Sequence, residues 1–413
     1  MFDEKSKIRF LGGGDEVGRL GMLMESGDVK FLFDYGMLPE KPPKYPLEAP
    51  PVDLTFLTHA HIDHSGMIPW IAAHHGTQVM ATRPTMEVSS LLHQDTLKIA
   101  DIEGYPAPYT KTDAKSAYHN FDEVRHKVPR DIATVEMRFH SAGHIPGATM
   151  FEMRGGRRML FTGDLDTRNA RLVWGAHPVK CDVLFMEATY SGRDHPERGE
   201  EEKRFIDTID DTVSRGGVAV VPAFAVGRSQ EVLLMLKDRG YNVWFDGMGK
   251  AISQIFLQNP EYLRSSKDLE RALRDVKEVH SGHGRKLALK DDVIVTTSGM
   301  LDGGPVLWYL EHLRDDPKSS ILTTGYQVSG TNGARLRDTG TIDFYGDIKK
   351  VECQVDSFDF SAHAGHKDLV SFAKECAPEK VVLMHGDKPT ALASDISDFA
   401  EVIMPKNGEE FIV

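Results

Sequence analysis

Short apolar runs separated by turn residues mark out the first part of the chain. Runs in which β-branched and aromatic side chains recur predict strands. The predicted strands are residues 8–11, 20–25, 30–34, 54–58, 78–81, 136–140, 149–153, 159–162 and 183–186. Apolar residues at helical spacing predict helices at residues 64–75 and, after Pro84, at residues 85–100. This order of elements predicts a four-layer αββα sandwich of the α/β class.

The pattern changes after Tyr190, where strands and helices begin to alternate. Helices are predicted at residues 197–215 and 227–238, and strands at residues 218–221, 242–245, 293–296 and 321–324. This alternation predicts a second α/β domain with a parallel sheet of its own. Strands at residues 351–355 and 381–385 then resume the earlier pattern. We therefore expect a discontinuous first domain, residues 1–190 and 351–413, and an inserted domain, residues 191–350.

The composition fits a large intracellular protein. The 413 residues can bury a substantial core, and no apolar run approaches the ~20 residues of a membrane span. Cys181, Cys353 and Cys376 are too few and too far apart in sequence for a disulfide framework, so we expect buried thiols. The charged start of the chain lacks a signal-peptide pattern, and we expect the protein in the cytoplasm.

The net charge of −13 limits the partners that the surface can attract. Nucleic-acid affinity rests largely on neutralisation of phosphates by Lys and Arg, so weak non-specific binding is expected. Divalent ions bound at a site would supply positive charge locally. The basic candidates for a track confined to such a site are Arg228, Lys250, Arg285 and Arg335.

The segment His59-Ala60-His61-Ile62-Asp63-His64 carries the strongest chemical signal. Two histidines two residues apart at a strand end can hold one ion, and Asp63 and His64 in the next turn can face a second. Three further candidates follow other apolar runs and stand beside glycine: His144, Asp164 and His385. The pattern predicts a site for two metals, in which the Asp164 carboxylate can bridge both ions.

Solvated loops also collect histidines that bind no metal. His74-His75 beside Gly76 fits that description. So does the segment 280–284, His-Ser-Gly-His-Gly, for which a plain loop is favoured over a third metal site. A lone His or Asp after a strand is also common as a cap or turn residue. The metal site is favoured at residues 59–64 because Asp63 stands between histidines at ligand spacing.

These residues resemble the motifs of the metallo-β-lactamase-fold nucleases of the β-CASP branch. The first four motifs of the fold are matched, in chain order, by Asp34, residues 59–64, His144 and Asp164. The three β-CASP motifs are matched by Glu187 in Met-Glu-Ala-Thr-Tyr, His363 in Ser-Ala-His-Ala-Gly, and His385. Residues 222–231 and 297–301 are similar to the cleavage-and-polyadenylation-specificity-factor nucleases, with the strongest likeness to their short archaeal relatives.

The resemblance implies a ribonuclease that hydrolyses RNA phosphodiester bonds by in-line attack of a metal-bound hydroxide. It implies two zinc ions, although His/Asp ligand sets also accept manganese or iron. The implied ligands are His59, His61 and His144 for the first ion, and Asp63, His64 and His385 for the second, with Asp164 as the bridge. The third β-CASP motif is a histidine here, whereas DNA-processing members typically carry valine, so the implied substrate is single-stranded RNA.

Roles around the metals follow from the same resemblance. Asp63 would also orient the hydroxide, and Asp34 would fix a ligand imidazole. His363 is the candidate proton donor or phosphate contact, with Glu187 as its orienter. For His363 the alternative is a structural histidine capped by Ser361. The candidate substrate contacts are Ser361, Ala364 and Arg228.

Several properties stay open at the level of the sequence. The family contains endonucleases and 5′ to 3′ exonucleases of RNA processing or decay, and it often dimerises. The first strand begins near Ile8, so no N-terminal RNA-binding KH domain is expected, and protein partners would then target the substrate. Two alternative functions are a small-molecule metallo-hydrolase of the thioesterase or lactonase type and a catalytically silent subunit of an RNA-processing complex.

Overall fold

Buried apolar strands pair into four sheets in the computed structural model, which describes residues 5–133 and 135–413. The chain forms two units. The first extends to Asn169 and includes Trp174–Asp194 and Ala362–Val413, and the second comprises Ala170–Val173 and His195–Ser361. The predicted domain boundaries, residues 1–190 and 351–413 against 191–350, stay a prediction.

Two seven-stranded sheets form the first unit. Numbered along the chain, the strands of one sheet are, in spatial order, β22 (Glu410–Ile412), β1 (Lys7–Gly12), β2 (Gly21–Ser26), β3 (Val29–Phe33), β4 (Leu54–Phe56), β5 (Gln78–Ala81) and β6 (Phe121–Glu123). Those of the other are β21 (Glu401–Ile403), β20 (Lys380–Met384), β11 (Val183–Glu187), β10 (Arg158–Phe161), β9 (Thr149–Arg154), β8 (Val135–Ser141) and β7 (Arg130–Ile132).

Aromatic side chains fill the space between these two sheets. The Phe33 ring of β3 lies 4.9 Å, centroid to centroid, from that of Phe161 on β10. The Phe56 ring of β4 lies 5.3 Å from that of Phe151 on β9. All four rings are buried. Side chains alternate between the two faces of each strand, so the apolar face of each sheet contributes to one shared core.

Helices complete the αββα arrangement that the sequence predicts. The helices of the first unit are α1 (Ile62–Ser65), α2 (Ile68–His75), α3 (Arg83–Glu103), α4 (Lys111–His119), α12 (His366–Cys376) and α13 (Thr390–Ile396). Ile68 and Ile71 of α2 pack with Leu23 and Leu32 of the first sheet in a second apolar cluster. None of the described helices is both long enough and apolar enough to cross a membrane.

A six-stranded, fully parallel sheet forms the centre of the second unit. Its spatial order is β14 (Lys277–Glu278), β13 (Val243–Asp246), β15 (Val293–Thr296), β12 (Ala219–Pro222), β16 (Ser320–Thr323) and β19 (Gln354–Ser357). A separate hairpin contains β17 (Thr341–Phe344) and β18 (Asp347–Lys350). The helices are α5 (Arg198–Ser214), α6 (Arg228–Leu236), α7 (Gly249–Gln258), α8 (Ser266–Arg274), α9 (Gly282–Ala288), α10 (Pro305–Leu313) and α11 (Asn332–Thr339), with a 3-10 turn at Pro260–Tyr262. The predicted parallel sheet is confirmed.

Two predicted elements are wrong in detail. The helix expected at residues 64–75 is divided into α1 and α2, because Pro69, in the first turn of α2, has no N–H to continue the hydrogen-bond ladder from α1. The strand expected at residues 351–355 is β19, which starts at Gln354 and pairs with β16. The N–H groups of Glu352 and Cys353 both donate to Arg314 O, so the apolar alternation there reflects burial and not a strand ladder.

Replacement of Phe33 by alanine tests the shared core of the two sheets. The ring is fully buried and contacts aromatic rings from both sheets, so Phe33→Ala should lower the free energy of unfolding by about 3–5 kcal/mol. Urea unfolding followed by circular dichroism measures the change. The control is Ile102→Ala, because Ile102 is 69% exposed and the free energy should change by less than about 0.5 kcal/mol. Equal small losses in both variants would contradict the assignment of the core.

Candidate metal centre

Several residues of the candidate site lie at the carboxyl ends of parallel strands in the first unit. β3 pairs in parallel with β4, and β11 pairs in parallel with both β10 and β20. The residues at these ends are Asp34 after β3, His59 after β4, Asp164 after β10, Glu187 at the end of β11, and His385 after β20. Strand ends from both sheets of the first unit thus carry these residues, which are far apart in sequence.

His59, His61, His144 and Asp164 form the first cluster. His61 Nδ1 lies 3.1 Å from His59 Nε2 and 3.1 Å from His144 Nε2. Asp164 Oδ2 lies 3.4 Å from His59 Nε2 and 3.6 Å from His144 Nε2. Ligand atoms about 2.05 Å from a tetrahedral zinc ion are about 3.3 Å from one another. The spacing of these atoms is therefore that of a zinc coordination shell.

Asp63, His64 and His385 form the second cluster. His385 Nε2 lies 3.4 Å from Asp63 Oδ2, and His64 Nε2 lies 4.0 Å from the same oxygen. The other oxygen of Asp164, Oδ1, lies 3.2 Å from His64 Nε2 and 3.4 Å from His385 Nδ1. The two oxygens of Asp164 thus face different clusters.

Polar atoms without partners show that the second cluster fits a cation. His64 Nε2, Asp164 Oδ1 and His385 Nε2 are buried and have no hydrogen-bond partner among the described residues. An unsatisfied buried polar atom is costly, and a cation bound at this cluster would satisfy all three. Imidazole nitrogens and carboxylate oxygens are ligands that divalent metals accept. The donor set therefore supports metal binding.

Hydrogen bonds to the second nitrogen of two candidate ligand rings hold these rings in place. Asp34 is fully buried and its Oδ2 accepts from His64 Nδ1 at 2.8 Å, which leaves Nε2 of that ring for the cluster. Thr58 N donates to Asp34 Oδ1 at 2.7 Å, and Thr58 Oγ1 donates to Asp34 Oδ2 at 2.8 Å. His144 Nδ1 donates to Ala362 O at 2.7 Å. Such contacts fix the tautomer and the direction of a metal-binding ring.

His363 and Glu187 form an ion pair beside the first cluster. His363 Nδ1 lies 2.9 Å and 3.0 Å from the two oxygens of the fully buried Glu187, and His363 Nε2 lies 4.0 Å from Asp164 Oδ2. Leu165 N donates to Glu187 Oε1 at 2.6 Å, and Ala364 N donates to Leu165 O at 2.6 Å. The backbone after Asp164 thus connects the pair to the cluster. Ala364 is fully buried with its N–H engaged, and its contact with substrate stays a prediction.

The electrostatic environment of the three histidines in the first cluster differs from that of His363. Burial lowers the pKa of His59, His61 and His144, which keeps these imidazoles neutral as ligands must be. Burial also acts to lower the pKa of His363, but the Glu187 and Asp164 carboxylates outweigh it and raise that pKa to about 9. An imidazole held protonated by a carboxylate is suited to donate a proton.

Strained backbone marks both ends of the ligand set. Asp34 and His385 have φ angles of 57° and 50°, in the left-handed region that residues other than glycine seldom adopt. His385 N donates to Gly13 O at 2.6 Å. At Gly36 an added Cβ would lie 1.7 Å from Asp63 O, so only glycine permits this approach. Strain of this kind persists where the surroundings hold it, as at functional sites.

Arg168 is a contributor that the sequence pattern did not single out. Its Nη2 donates to His363 O at 2.8 Å and to Asp166 Oδ2 at 2.9 Å. It therefore ties the turn of His363 to the segment that follows Asp164. The alternation of Asp164, Asp166 and Arg168 in the sequence was the available signal, but a surface ion pair has the same pattern.

The four basic residues that are candidates for a basic track belong to the second unit, as does Ser361. Arg228 is half-buried and donates to Thr324 O. Lys250 donates to Val279 O, and Arg285 pairs with Asp246 at 2.7 Å. Arg335 lies in α11, and its backbone N donates to Thr331 O. Ser361 is buried and its N donates to Asp359 Oδ1 at 3.1 Å. Their roles toward substrate stay predictions.

Family models match most of the chain. Residues 15–195 match the metallo-beta-lactamase superfamily, residues 229–336 match the Beta-Casp domain, and residues 348–405 match the Zn-dependent metallo-hydrolase RNA specificity domain. The chain is similar over its whole length (coverage of 99% of this chain and 100% of the other, TM-score 0.63, 16% identity) to the crystal structure of a protein of unknown function from Enterococcus faecalis. At this identity the likeness concerns the fold alone.

Archaeal relatives share about a third of their residues with the chain. It is 34% identical to the probable RNase MJ4 of Methanocaldococcus jannaschii, over 98% of this chain and 99% of that protein. It is 34% identical to RNase aCSPSF2 of Saccharolobus solfataricus, over 98% and 84%, and 32% identical to the transcription termination factor FttA of M. jannaschii, over 96% and 68%. The chain belongs to the β-CASP family of metallo-β-lactamase-fold metallo-hydrolases.

Proposed function

We propose that the protein is a metal-dependent ribonuclease that hydrolyses phosphodiester bonds of single-stranded RNA at this cluster. The observation that carries the proposal is the His363–Glu187 pair beside Asp164, because hydrolysis needs a proton donor for the leaving oxygen next to the metal ligands. The names of the archaeal relatives, and the RNA specificity domain that residues 348–405 match, support RNA as the substrate.

Two zinc ions are the cofactor that we propose. The first ion would be held by His59, His61 and His144, and the second by Asp63, His64 and His385. Asp164 would serve both ions, because its two oxygens face different clusters. When bound, divalent ions supply positive charge at the scissile phosphate and lower the pKa of coordinated water. The thiolate-free ligand set also suits manganese or iron. Asp63, with a side chain 28% exposed, is the ligand best placed to orient the attacking group.

The chain itself supplies the proton and the orientation. His363 holds a proton at Nε2 because its pKa is raised, and Nε2 is on the side of the ring that faces Asp164. Glu187 binds the opposite nitrogen and keeps the ring in that position. Asp34 performs the equivalent task for the His64 ring. His363 would donate its proton to the oxygen that leaves when the phosphodiester bond breaks.

The other candidate functions fit less well. A thioesterase or lactonase would need the metal ligands but neither the His363–Glu187 pair nor the second unit. A catalytically silent subunit would have no need of the complete set of ligands. We further propose action in RNA processing or decay, in the cytoplasm, where the buried free thiols Cys181, Cys353 and Cys376 would stay reduced. The proposal also includes endonuclease or 5′ to 3′ exonuclease action, assembly as a homodimer, and binding to RNA-processing protein partners.

Metal analysis of a ligand variant tests the two-ion site. The wild-type chain should hold two zinc ions, and His385→Ala should hold one, because only the second cluster loses a ligand. Inductively coupled plasma mass spectrometry of dialysed protein gives the stoichiometry. The matched control is His280→Ala, since the His280 side chain is 75% exposed and outside both clusters. Two ions in His385→Ala would remove this residue from the coordination shell.

Variants of the ion pair test the proton donor. His363→Ala should slow RNA cleavage by about 10²–10⁴-fold with unchanged zinc content, because the proton donor is lost and the ligands are not. Glu187→Gln should slow cleavage less, and the double variant should be no slower than His363→Ala, because both residues act through one ring. A single-turnover assay on 5′-labelled single-stranded RNA, resolved on a sequencing gel, gives the rates and the cleavage mode.

Two results would contradict these roles. Loss of zinc from His363→Ala would show that His363 is a ligand and not the proton donor. Multiplicative rate losses in the double variant would show that Glu187 acts independently of His363. Zinc-loaded wild-type protein that cleaves no RNA would contradict the proposed ribonuclease activity and favour the small-molecule hydrolase instead.

A further inference from the structure

The parallel sheet of the second unit has a topological switch point at the adjacent strands β12 and β16. After β12 the chain passes through α6 to β13, on one side of the sheet. After β16 it passes to β19, on the opposite side. The connections leave in opposite directions at the carboxyl ends of these two strands, which is where an open α/β sheet can form a crevice. In open α/β sheets, ligands bind at such crevices.

Apolar side chains are exposed at these strand ends. Phe224 follows β12 and is 36% exposed, while Tyr326 and Val328 follow β16 and are 54% and 44% exposed. Exposed apolar side chains that lie together form the kind of patch that marks an interaction site. We call these three residues the strand-end patch.

Hydrogen bonds hold the strand-end patch in position. Ser229 Oγ donates to Phe224 O at 2.7 Å, which fixes the turn between β12 and α6. Gln327 is buried, and its Nε2 donates to Gly299 O at 3.2 Å and to Gly325 O at 3.0 Å. The buried Gln327 therefore turns its two neighbours in sequence, Tyr326 and Val328, outward. The exposure of these residues is built into the loop.

Glycines and an arginine surround the Phe224 ring. A Cβ on Gly299 would lie 3.1 Å from Phe224 Cγ, and a Cβ on Gly325 would lie 3.9 Å from Phe224 Cε2. The same Gly325 position is 3.3 Å from Arg228 Nη1. Arg228 also donates to Thr324 O, and Thr324 Oγ1 donates to Pro222 O at 2.9 Å, so the ends of both strands are joined beneath it. An aromatic face with a guanidinium next to it is thus open on one side.

We propose that the strand-end patch binds unpaired bases of single-stranded RNA by stacking, with Arg228 directed to the backbone or to a base face. This inference rests on the proposed function and extends it to a subsite in the second unit. Stacking on aromatic rings is tolerant of base identity, because every base has a π-face. Arg228 lies beside the Phe224 ring, and Arg337 interacts electrostatically with Tyr326.

Binding of base-bearing and abasic RNA tests the inference. The probe is a fluorescent single-stranded RNA of about 12 nucleotides with phosphorothioate linkages that resist cleavage, and its partner is an abasic strand of equal length and charge. Fluorescence anisotropy is measured with the zinc-loaded full chain. Tyr326→Leu should weaken binding of the base-bearing strand about tenfold, because one stacking contact is lost, and Tyr326→Phe should bind within about twofold of wild type, because the ring remains. Phe224→Leu should behave as Tyr326→Leu does.

The matched control is Tyr345→Leu, since Tyr345 is 86% exposed on the β17–β18 hairpin and is not part of the patch. It should bind RNA as wild type does. The inference is overturned if Tyr326→Leu binds the base-bearing strand normally, if it loses equal affinity for the abasic strand, or if its self-association changes while its RNA affinity does not. Wild-type protein that neither binds nor cleaves RNA would overturn the proposed function, whereas normal cleavage with an unchanged Tyr326→Leu affinity would overturn only this subsite.

Discussion

The carboxylate of Asp164 is the constraint on which the site depends. It is almost completely buried and lies at the end of β10, where one oxygen faces the first cluster and the other faces the second. A buried charge is tolerated only with strong compensation, and here the compensating groups are imidazoles. Burial raises the pKa of Asp164, but the surrounding histidines, His64 first, outweigh it and lower that pKa well below its usual range. A bound cation would supply the remaining compensation.

The neighbouring backbone transmits the position of Asp164 to the rest of the site. The next residue, Leu165, donates its N–H to Glu187 and accepts a hydrogen bond from Ala364 N. Arg168 binds the carbonyl of His363 from the same segment. One short stretch of chain at the end of a buried strand therefore connects Asp164 to the His363–Glu187 pair. A rigid arrangement of this kind is what catalysis by positioned groups requires.

The ligand-bearing strand ends could be predicted from the sequence because strand, ligand and glycine recur in one order, as at Asp164 and His385. The contacts of Leu165 could not, because backbone groups carry no residue-type signal. Arg168 was missed because an arginine two residues from an aspartate is usually a surface pair. The strand at residues 351–355 was misplaced because burial at Cys353 imitates strand alternation. Local pattern thus pointed to the candidate ligands, whereas the contacts between distant segments needed the structure.

Metal analysis of Asp164→Ala is the measurement that tests the account most directly. If Asp164 serves both clusters, the variant should lose affinity for both ions, and its zinc content should fall further than that of a variant lacking a ligand of one cluster alone. Equilibrium dialysis against graded zinc concentrations, followed by mass spectrometry, gives both affinities. A variant that keeps one ion at wild-type affinity would show that Asp164 belongs to a single cluster, and the shared carboxylate would have to be abandoned.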